Sequence, residues 1–268
     1  MEIELDIRSH SHKFAEGCFA FFEQNAMGLR VIQTSESTFT LVVEGKPFKE
    51  LGSEHILYHS HLWATSFLIA LNIATLGYLS WKDAPSLHPI YRVLGTDSHQ
   101  VRDTIALVQQ VPITLERDRE LTDLDIHNAL ITLGALTQDN DPNSRVEYLK
   151  GLLHIGASHL DVTFYREAFG NFYRCMESFV TRHVLGVRQL SNEVKDIQRA
   201  LAQIGAGDEL QTAFKEIYAI RSNQVAHAQK QQIAFELDDV FKAKAFADLV
   251  MYKTYRKHAE NWRAENRA

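Results

Sequence analysis

The chain has 268 residues, which is enough for one large domain or two domains of ordinary size. Its content of 45% hydrophobic and 23% charged residues is typical of a globular protein and excludes a largely disordered chain. The net charge of −6 argues against nucleic-acid binding, because most proteins that bind nucleic acid are strongly basic.

The first segment of the chain, residues 2–48, is predicted to form a small antiparallel sheet. Two β-branched runs, Val31–Thr34 and Thr38–Val43, are separated by a polar Ser-Glu-Ser turn. The aromatic-rich residues 17–24 are assigned to the same strand region. We therefore expect three or four strands in this segment.

A helical pattern follows from Glu50 to Trp81. Residues 62–81 carry no charge and are long enough to span a bilayer. Asn, Thr, Ser and Gly residues interrupt this stretch, however, and neither flank carries the Lys/Arg cluster that orients a membrane helix. We therefore predict a buried core helix and no contact with a membrane.

Three histidines lie near the start of this helix: His55, His59 and His61. His55 and His59 are spaced i, i+4 and could share a zinc ion with a third ligand from elsewhere in the chain. Neither a His-Glu-x-x-His motif nor a cysteine pair accompanies them, so helix caps or polar surface residues are the simpler interpretation. We assign no metal and no other cofactor.

The rest of the chain is predicted to be mainly helical, which makes the fold class α+β. A turn-rich segment at residues 137–144 either separates two domains or joins two helices of one bundle. We adopt the second interpretation, with an N-terminal α+β domain at residues 1–117 and an antiparallel helical bundle at residues 118–268. Helices are expected at residues 98–110, 121–136, 145–159, 163–185, 191–204, from 208 onward, and 238–265.

Charge is distributed unevenly along the chain. From Ser144 onward there are 18 Lys and Arg residues against 15 Asp and Glu, whereas the preceding residues have 10 against 19. The C-terminal part is therefore slightly basic. This excess permits phosphate contact without predicting tight, nonspecific binding to RNA.

The cysteines and the N-terminal residues indicate the cellular compartment of the protein. Cys18 and Cys175 lie far apart in apolar surroundings and are predicted to be buried free thiols in a reducing compartment. The N-terminal residues have neither the basic start nor the apolar core of a signal peptide. We expect a cytoplasmic protein.

The helix that begins at residue 208 carries the most informative pattern in the chain. Arg221 occupies a position where the apolar face of this helix calls for an apolar residue, so it needs an anion, a polar partner or water. His227 follows, with a side chain whose ordinary pKa is close to neutrality. The sequence contains no P-loop, GxGxxG or GxSxG motif. The apolar residues that precede Arg221 on the same face are Leu210, Phe214 and Ile217.

The spacing of the arginine and the histidine sets a geometric condition. On an ideal helix Arg221 and His227 are about 120° apart, whereas Asn223 and His227 share one face. Convergence of Arg221 and His227 requires a helix break, the long reach of arginine or a second copy of the helix. A second copy predicts a symmetric dimer.

The run IRSNQVAHA, residues 220–228, resembles the Arg-x4-6-His signature of HEPN domains. Upstream, Phe164–Val180 is similar to the helix that precedes this signature in many HEPN bundles, including an acidic residue, Glu177. The resemblance covers roughly the C-terminal half of the chain. Arg92 and His99 also fit the spacing, but a proline and a glycine interrupt any helix there.

Many HEPN proteins are metal-independent ribonucleases of host defence or toxin systems, with the active site at a dimer interface. The resemblance implies that His227 takes the proton from the 2′-hydroxyl of RNA, which then attacks the adjacent phosphate. Arg221 would neutralise charge on that phosphate, and Asn223 would orient the imidazole or the phosphate. The implied product is a 2′,3′-cyclic phosphate, formed without a metal.

Other interpretations stay open at this point. The residue after the arginine is often Asn, Asp or His in the family, and here it is Ser222. The chain could therefore be a non-catalytic HEPN module that dimerises or holds a regulatory partner protein, with the N-terminal domain as a possible sensor. Arg221 could also form a purely structural buried ion pair with Glu177 or Glu167.

Overall fold

A computed structural model of the chain shows an α+β fold. Its contacts divide the chain into two compact units, Met1–Leu133 and Gly134–Ala268. The predicted domain boundary at residues 117 and 118 lies outside the described residues and stays a prediction. The structure describes residues 2–24, 29–44, 53–81, 92–94, 119–138, 142–158, 163–225 and 236–265.

The first unit contains a small antiparallel sheet, as predicted, with strand β1 at its centre. Along one side β1 pairs with β4, which in turn pairs with β3. Along the other side it pairs with β5 through Ile7–Ser9 and with β6 through Glu2–Glu4. The strands are β1 Glu2–Ser9, β2 Lys13–Phe14, β3 Leu29–Gln33, β4 Thr38–Glu44, β5 Leu79–Trp81, β6 Arg92–Leu94 and β7 Glu120–Leu121, with β2 and β7 forming a separate parallel pair.

A short helix, α1 (Ala20–Gln24), replaces the strand predicted for the aromatic-rich residues 17–24. Gly17, at φ +73°, begins a turn that an extended strand does not contain. Phe19 and Phe22, three residues apart, then both face the core, which is the spacing of a helix and not of a strand. Among the described residues, ring contacts in this core join Phe14, Phe19, Phe22, Phe39 and Phe67.

Helix α2 (Ser53–Thr75) confirms the predicted core helix in part. Its residues 64–73 are all buried, but the helix ends before Leu79–Trp81, which form β5. Leu76 has a positive φ of 51°, and the Asn72 side chain bonds to both the N–H and the C=O of Leu79. These contacts end the helix and start the strand. Among the residues that the structure describes, no helix is long and apolar enough to cross a membrane.

The helices of the second half of the chain lie within one turn of their predicted positions. Two of them continue into π-helical turns: α5 into Val180–Val184 and α7 into Arg221–Val225. The predicted helix at residues 98–110 lies outside the described residues. The helices are α3 Asp123–Gln138, α4 Pro142–Ala157, α5 Tyr165–Phe179, α6 Glu193–Gln203, α7 Asp208–Ile220 and α8 Leu237–Glu265.

The second unit is built around α5, which packs against both α4 and α8. Gly151 of α4 lies directly against the ring of Phe172 of α5, so that a Cβ at Gly151 would be 2.7–2.9 Å from three ring atoms. The absence of a side chain at this position lets the two helices approach closely. Cys175 of α5, like Cys18 of the first unit, is a buried free thiol, as predicted.

Candidate functional site

Arg221 lies where α7 changes from α-helical to π-helical geometry. The preceding residues of its face, Phe214 and Ile217, are buried, and the ring of Phe214 stacks on Phe246 of α8 at 6.1 Å. This packing fixes the end of α7 and therefore the starting point of the arginine side chain. Single π-helical turns within α-helices occur frequently at functional sites.

The guanidinium of Arg221 contacts two side chains from other helices. Its Cζ atom lies 5.3 Å from the ring centroid of Tyr173 on α5, a cation–π distance. Its Nη1 atom lies 3.3 Å from Oε2 of Glu193 on α6. Tyr173 in turn donates its hydroxyl to Oε1 of the same carboxylate at 2.7 Å. One carboxylate therefore contacts both the tyrosine and the arginine. The charges of Glu193 and Arg221 also act on the carboxyl group of Glu177, and we call Tyr173, Glu177, Glu193 and Arg221 the Arg221 cluster.

This ion pair differs from the structural alternative that the sequence suggests. The partner is Glu193 and not Glu177 or Glu167, and the Arg221 side chain keeps 31% of its surface exposed. Periodicity could not identify Glu193, because the distance between the start of α6 and the end of α7 depends on how the helices pack. A half-exposed arginine remains accessible to a ligand, which a fully buried pair does not allow.

The position of Glu193 is set by the start of α6. The side chain of Asn192 caps this helix by accepting a hydrogen bond from the N–H of Lys195 at 3.1 Å. Asp196 reaches back and accepts from the N–H groups of Ser191 and Asn192 at 2.8 and 2.9 Å, which lowers the pKa of its carboxyl group. Glu193 is the first residue of the helix, where the helix dipole favours a negative charge.

Glu177 lies one turn after Tyr173 on α5 and is half-buried. Burial raises the pKa of its carboxyl group, the negative charge of Glu193 raises it further, and the charges of Arg221 and Arg174 lower it. The Arg221 cluster thus combines one guanidinium with two carboxyl groups. Like charges close together make one of the two acids easier to protonate.

The other two predicted catalytic residues are described only in part. Asn223 is an exposed residue of the π-helical turn. His227 lies outside the described residues, so its convergence with Arg221 stays a prediction. The departure from α-helical geometry begins at Arg221 and continues to Val225, in the part of the chain that precedes His227.

Two weaker sequence patterns, the Arg92–His99 spacing and the histidines near the start of α2, form no site among the described residues. Arg92 lies in β6, and its spacing partner His99 is outside the described part of the chain. The side chains of His55 and His59 are also outside it. In the part that the structure describes, no group of three or more His, Cys, Asp or Glu residues is arranged to hold a metal ion.

Sequence reasoning missed two members of the Arg221 cluster, Tyr173 and Glu193. Tyr173 falls on the buried face of α5, where a tyrosine signals a hydroxyl that needs a partner. Glu193 follows an Asn at a helix start, and this pattern identifies the cap but not the contact with Arg221.

The interpretation of this site depends on its own geometry. No protein-family model, no curated protein and no solved structure matches the chain.

Proposed function

We propose that the chain is a metal-independent endoribonuclease of the HEPN type, with a composite site at the interface of a symmetric homodimer, acting in a defence or toxin context. One observation carries the proposal. Arg221, the arginine of the HEPN-like signature, is half-exposed at a break in helix geometry and is held by Tyr173 and Glu193. This arrangement suits an arginine that receives a phosphate.

The reaction needs only groups that the signature supplies. His227 removes the proton of the RNA 2′-hydroxyl, which attacks the adjacent phosphate, and His227 of a second copy protonates the leaving 5′-oxygen. Arg221 stabilises the negative charge that develops on the phosphate, for which its planar array of N–H donors is suited. Asn223 orients the imidazole or the phosphate. DNA is spared because it has no 2′-hydroxyl.

The Arg221 cluster offers a phosphodiester a single guanidinium. Within one chain the cluster has one positive group and two carboxyl groups, so a phosphodiester gains little net attraction there. A symmetric interface would bring a second Arg221 with its own carboxyl groups, and the phosphate would gain a second set of guanidinium N–H donors without an excess of positive charge. The HEPN-like fold of the helical unit is part of this proposal.

The test is cleavage of a pool of cellular RNA by the purified full-length protein in EDTA, with the product ends identified. Wild type is expected to produce 2′,3′-cyclic phosphate ends, and Arg221→Ala and His227→Ala are each expected to abolish them. Asn223→Ala is expected to reduce them. Exposed residues of the same unit provide matched controls: Arg188→Ala and His258→Ala should cleave like wild type.

Two results would contradict the proposal. Equal cleavage by wild type and His227→Ala would show that the cleavage does not depend on His227. Loss of activity together with a melted fold in Arg221→Ala, measured by circular dichroism, would show that the arginine is structural.

A second function is favoured by the same ion pair. Because Glu193 already neutralises Arg221 within one chain, the site could serve a non-catalytic HEPN module that dimerises or holds a regulatory partner protein. In that case wild type releases no cyclic-phosphate ends. Glu193→Gln would then change the dimer dissociation constant, measured by analytical ultracentrifugation, or the capture of a partner encoded nearby.

A further inference from the structure

We propose that Tyr173 and Glu193 are positioning residues for Arg221: they hold its guanidinium in one orientation before the phosphate arrives. This inference depends on the proposed function, because it assigns these two residues a role in the same reaction. It concerns residues outside the signature itself. Neither residue is expected to touch the reacting atoms.

Tyr173 is the fixed point of the arrangement. Only 3% of its surface is exposed, and its ring forms the surface on which the guanidinium lies. Burial and the hydrogen bond to Glu193 raise the pKa of its hydroxyl, which therefore stays protonated and donates at every physiological pH. The hydroxyl thus fixes one oxygen of Glu193, while the guanidinium of Arg221 lies over the ring.

Glu193 is held at both its ends. Its backbone belongs to the capped start of α6, where Asn192 accepts from the N–H of Lys195 and Asp196 accepts from the N–H groups of Ser191 and Asn192. Its Oε1 atom accepts from Tyr173, and this leaves Oε2 directed at Nη1 of Arg221. A carboxylate fixed in this way orients the guanidinium more strongly than a mobile surface carboxylate would.

The arrangement leaves donors for a substrate. A guanidinium carries five N–H donors, and the ion pair with Glu193 engages Nη1. With 31% of the arginine side chain exposed, we expect a phosphodiester to reach the remaining donors, a pair of which can bind two of its oxygens. Because the orientation is set in advance, no side-chain ordering is required at the transition state.

The test uses Tyr173→Phe, which removes one hydroxyl and keeps the ring beneath Arg221. Cleavage of a short defined RNA is expected to lose kcat by about 10- to 100-fold with little change in KM, as for a misplaced catalytic group. Tyr218→Phe is the matched control, since it removes a hydroxyl from a half-buried tyrosine one turn before Arg221. It should keep wild-type kcat.

Positioning through Arg221 has a further signature. Arg221→Lys keeps a positive charge and is expected to leave measurable cleavage. In this background, adding Tyr173→Phe is expected to cause little further loss, because the guanidinium that it positions is gone. Glu193→Gln keeps an acceptor for the tyrosine hydroxyl and should retain more activity than Glu193→Ala. Glu209→Gln, an exposed residue of α7, controls for the loss of a negative charge.

The outcomes are distinguishable. If wild type cleaves and Tyr173→Phe cleaves equally, or if the loss in Tyr173→Phe multiplies with that in Arg221→Lys, the positioning role is wrong and the ribonuclease proposal stands. If wild type gives no cyclic-phosphate ends, the proposed function fails and the positioning role fails with it. Thermal unfolding of each variant shows whether a lost activity reflects a lost fold.

Discussion

The hydroxyl of Tyr148 donates a 2.5 Å hydrogen bond to Oδ1 of Asp248, and this bond joins α4 to α8 in the core of the second unit. Lys244, one turn before Asp248, donates to its Oδ2 atom at 2.7 Å, and its ammonium lies 5.5 Å from the centroid of the Tyr148 ring. The three side chains are all buried. A buried charge pair of this kind is costly to break from one side only.

Lys244→Met is expected to lower the free energy of unfolding by about 3–5 kcal/mol, because removing one partner of a buried ion pair is strongly destabilising. Tyr148→Phe keeps the charge pair and should cost only about 1.5–3 kcal/mol, the value of a hydrogen bond to a charged group. Urea unfolding of both variants measures the difference. A smaller loss in Lys244→Met than in Tyr148→Phe would contradict this assignment.

His10 is expected to make the first unit sensitive to acid. Burial, followed by the charge of Arg8, lowers the pKa of His10 from 6.5 to about 4. As pH falls from about 6.5 to about 4, the unfolded chain binds a proton at His10 before the folded chain does. The free energy of unfolding should therefore fall by up to about 3 kcal/mol between these pH values. His10→Asn is expected to weaken the pH dependence in urea unfolding. The exposed control His127→Asn should leave it unchanged.

Asn171 is expected to control the protonation of His154. Its Oδ1 atom accepts from Arg174, so its Nδ2 donates to Nδ1 of His154, at 2.7 Å. Burial also lowers the pKa of His154. Asn171→Asp places a carboxylate against Nδ1 and should raise this pKa, measured by NMR titration of the ring protons. Asn192→Asp, which keeps a good helix cap on α6, should leave it unchanged.

Glu177 is expected to be stabilising only when protonated. Because burial and Glu193 raise its pKa in the folded state, the folded protein binds more protons than the unfolded chain just above pH 4.5, so stability falls as pH rises there. Glu177→Gln should therefore raise the melting temperature at pH 7.5 and change it little at pH 4. The exposed control Glu216→Gln should show no such difference between the two pH values.

Gly151 tests the close approach of α4 and α5. Gly151→Ala adds a methyl group against the Phe172 ring and is expected to destabilise the second unit by about 1–3 kcal/mol, although alanine favours a helix. Gly134→Ala in α3 is the control, since a Cβ there meets no atom within 4 Å. It should stabilise by up to about 1 kcal/mol. Equal effects in thermal unfolding would show that the helices are not in tight contact.

Local patterns predicted those parts of the fold that local forces determine. The helices of the second unit repeat their apolar residues every three or four positions, and β3 and β4 are β-branched runs on either side of a polar turn. The exceptions depend on contacts between distant residues. Strand β5 exists because β1 and Asn72 supply partners for its backbone, and β6 exists because Glu2–Glu4 pair with it.

In the candidate site, too, local sequence patterns predicted some features, whereas others depend on contacts between distant residues. Arg221 could be identified because a charged residue interrupts an apolar helical face. Tyr173 and Glu193 could not be linked to it, because their approach is set by the packing of α5 and α6 against α7. The pKa of the Glu177 carboxyl group is raised by burial and by Glu193 and lowered by Arg221. These effects depend on distances that residue spacing in the sequence does not give.

The central place of β1 has a consequence for folding during synthesis. Its partners on one side, β5 and β6, are translated long after β1 itself, and its partner on the other side, β4, comes between them. Strand β1 therefore leaves the ribosome with both edges open and can complete its pairing only when Leu94 has emerged. An N-terminal strand in this position exposes its backbone to other nascent chains, so slow translation before residue 94 should favour aggregation.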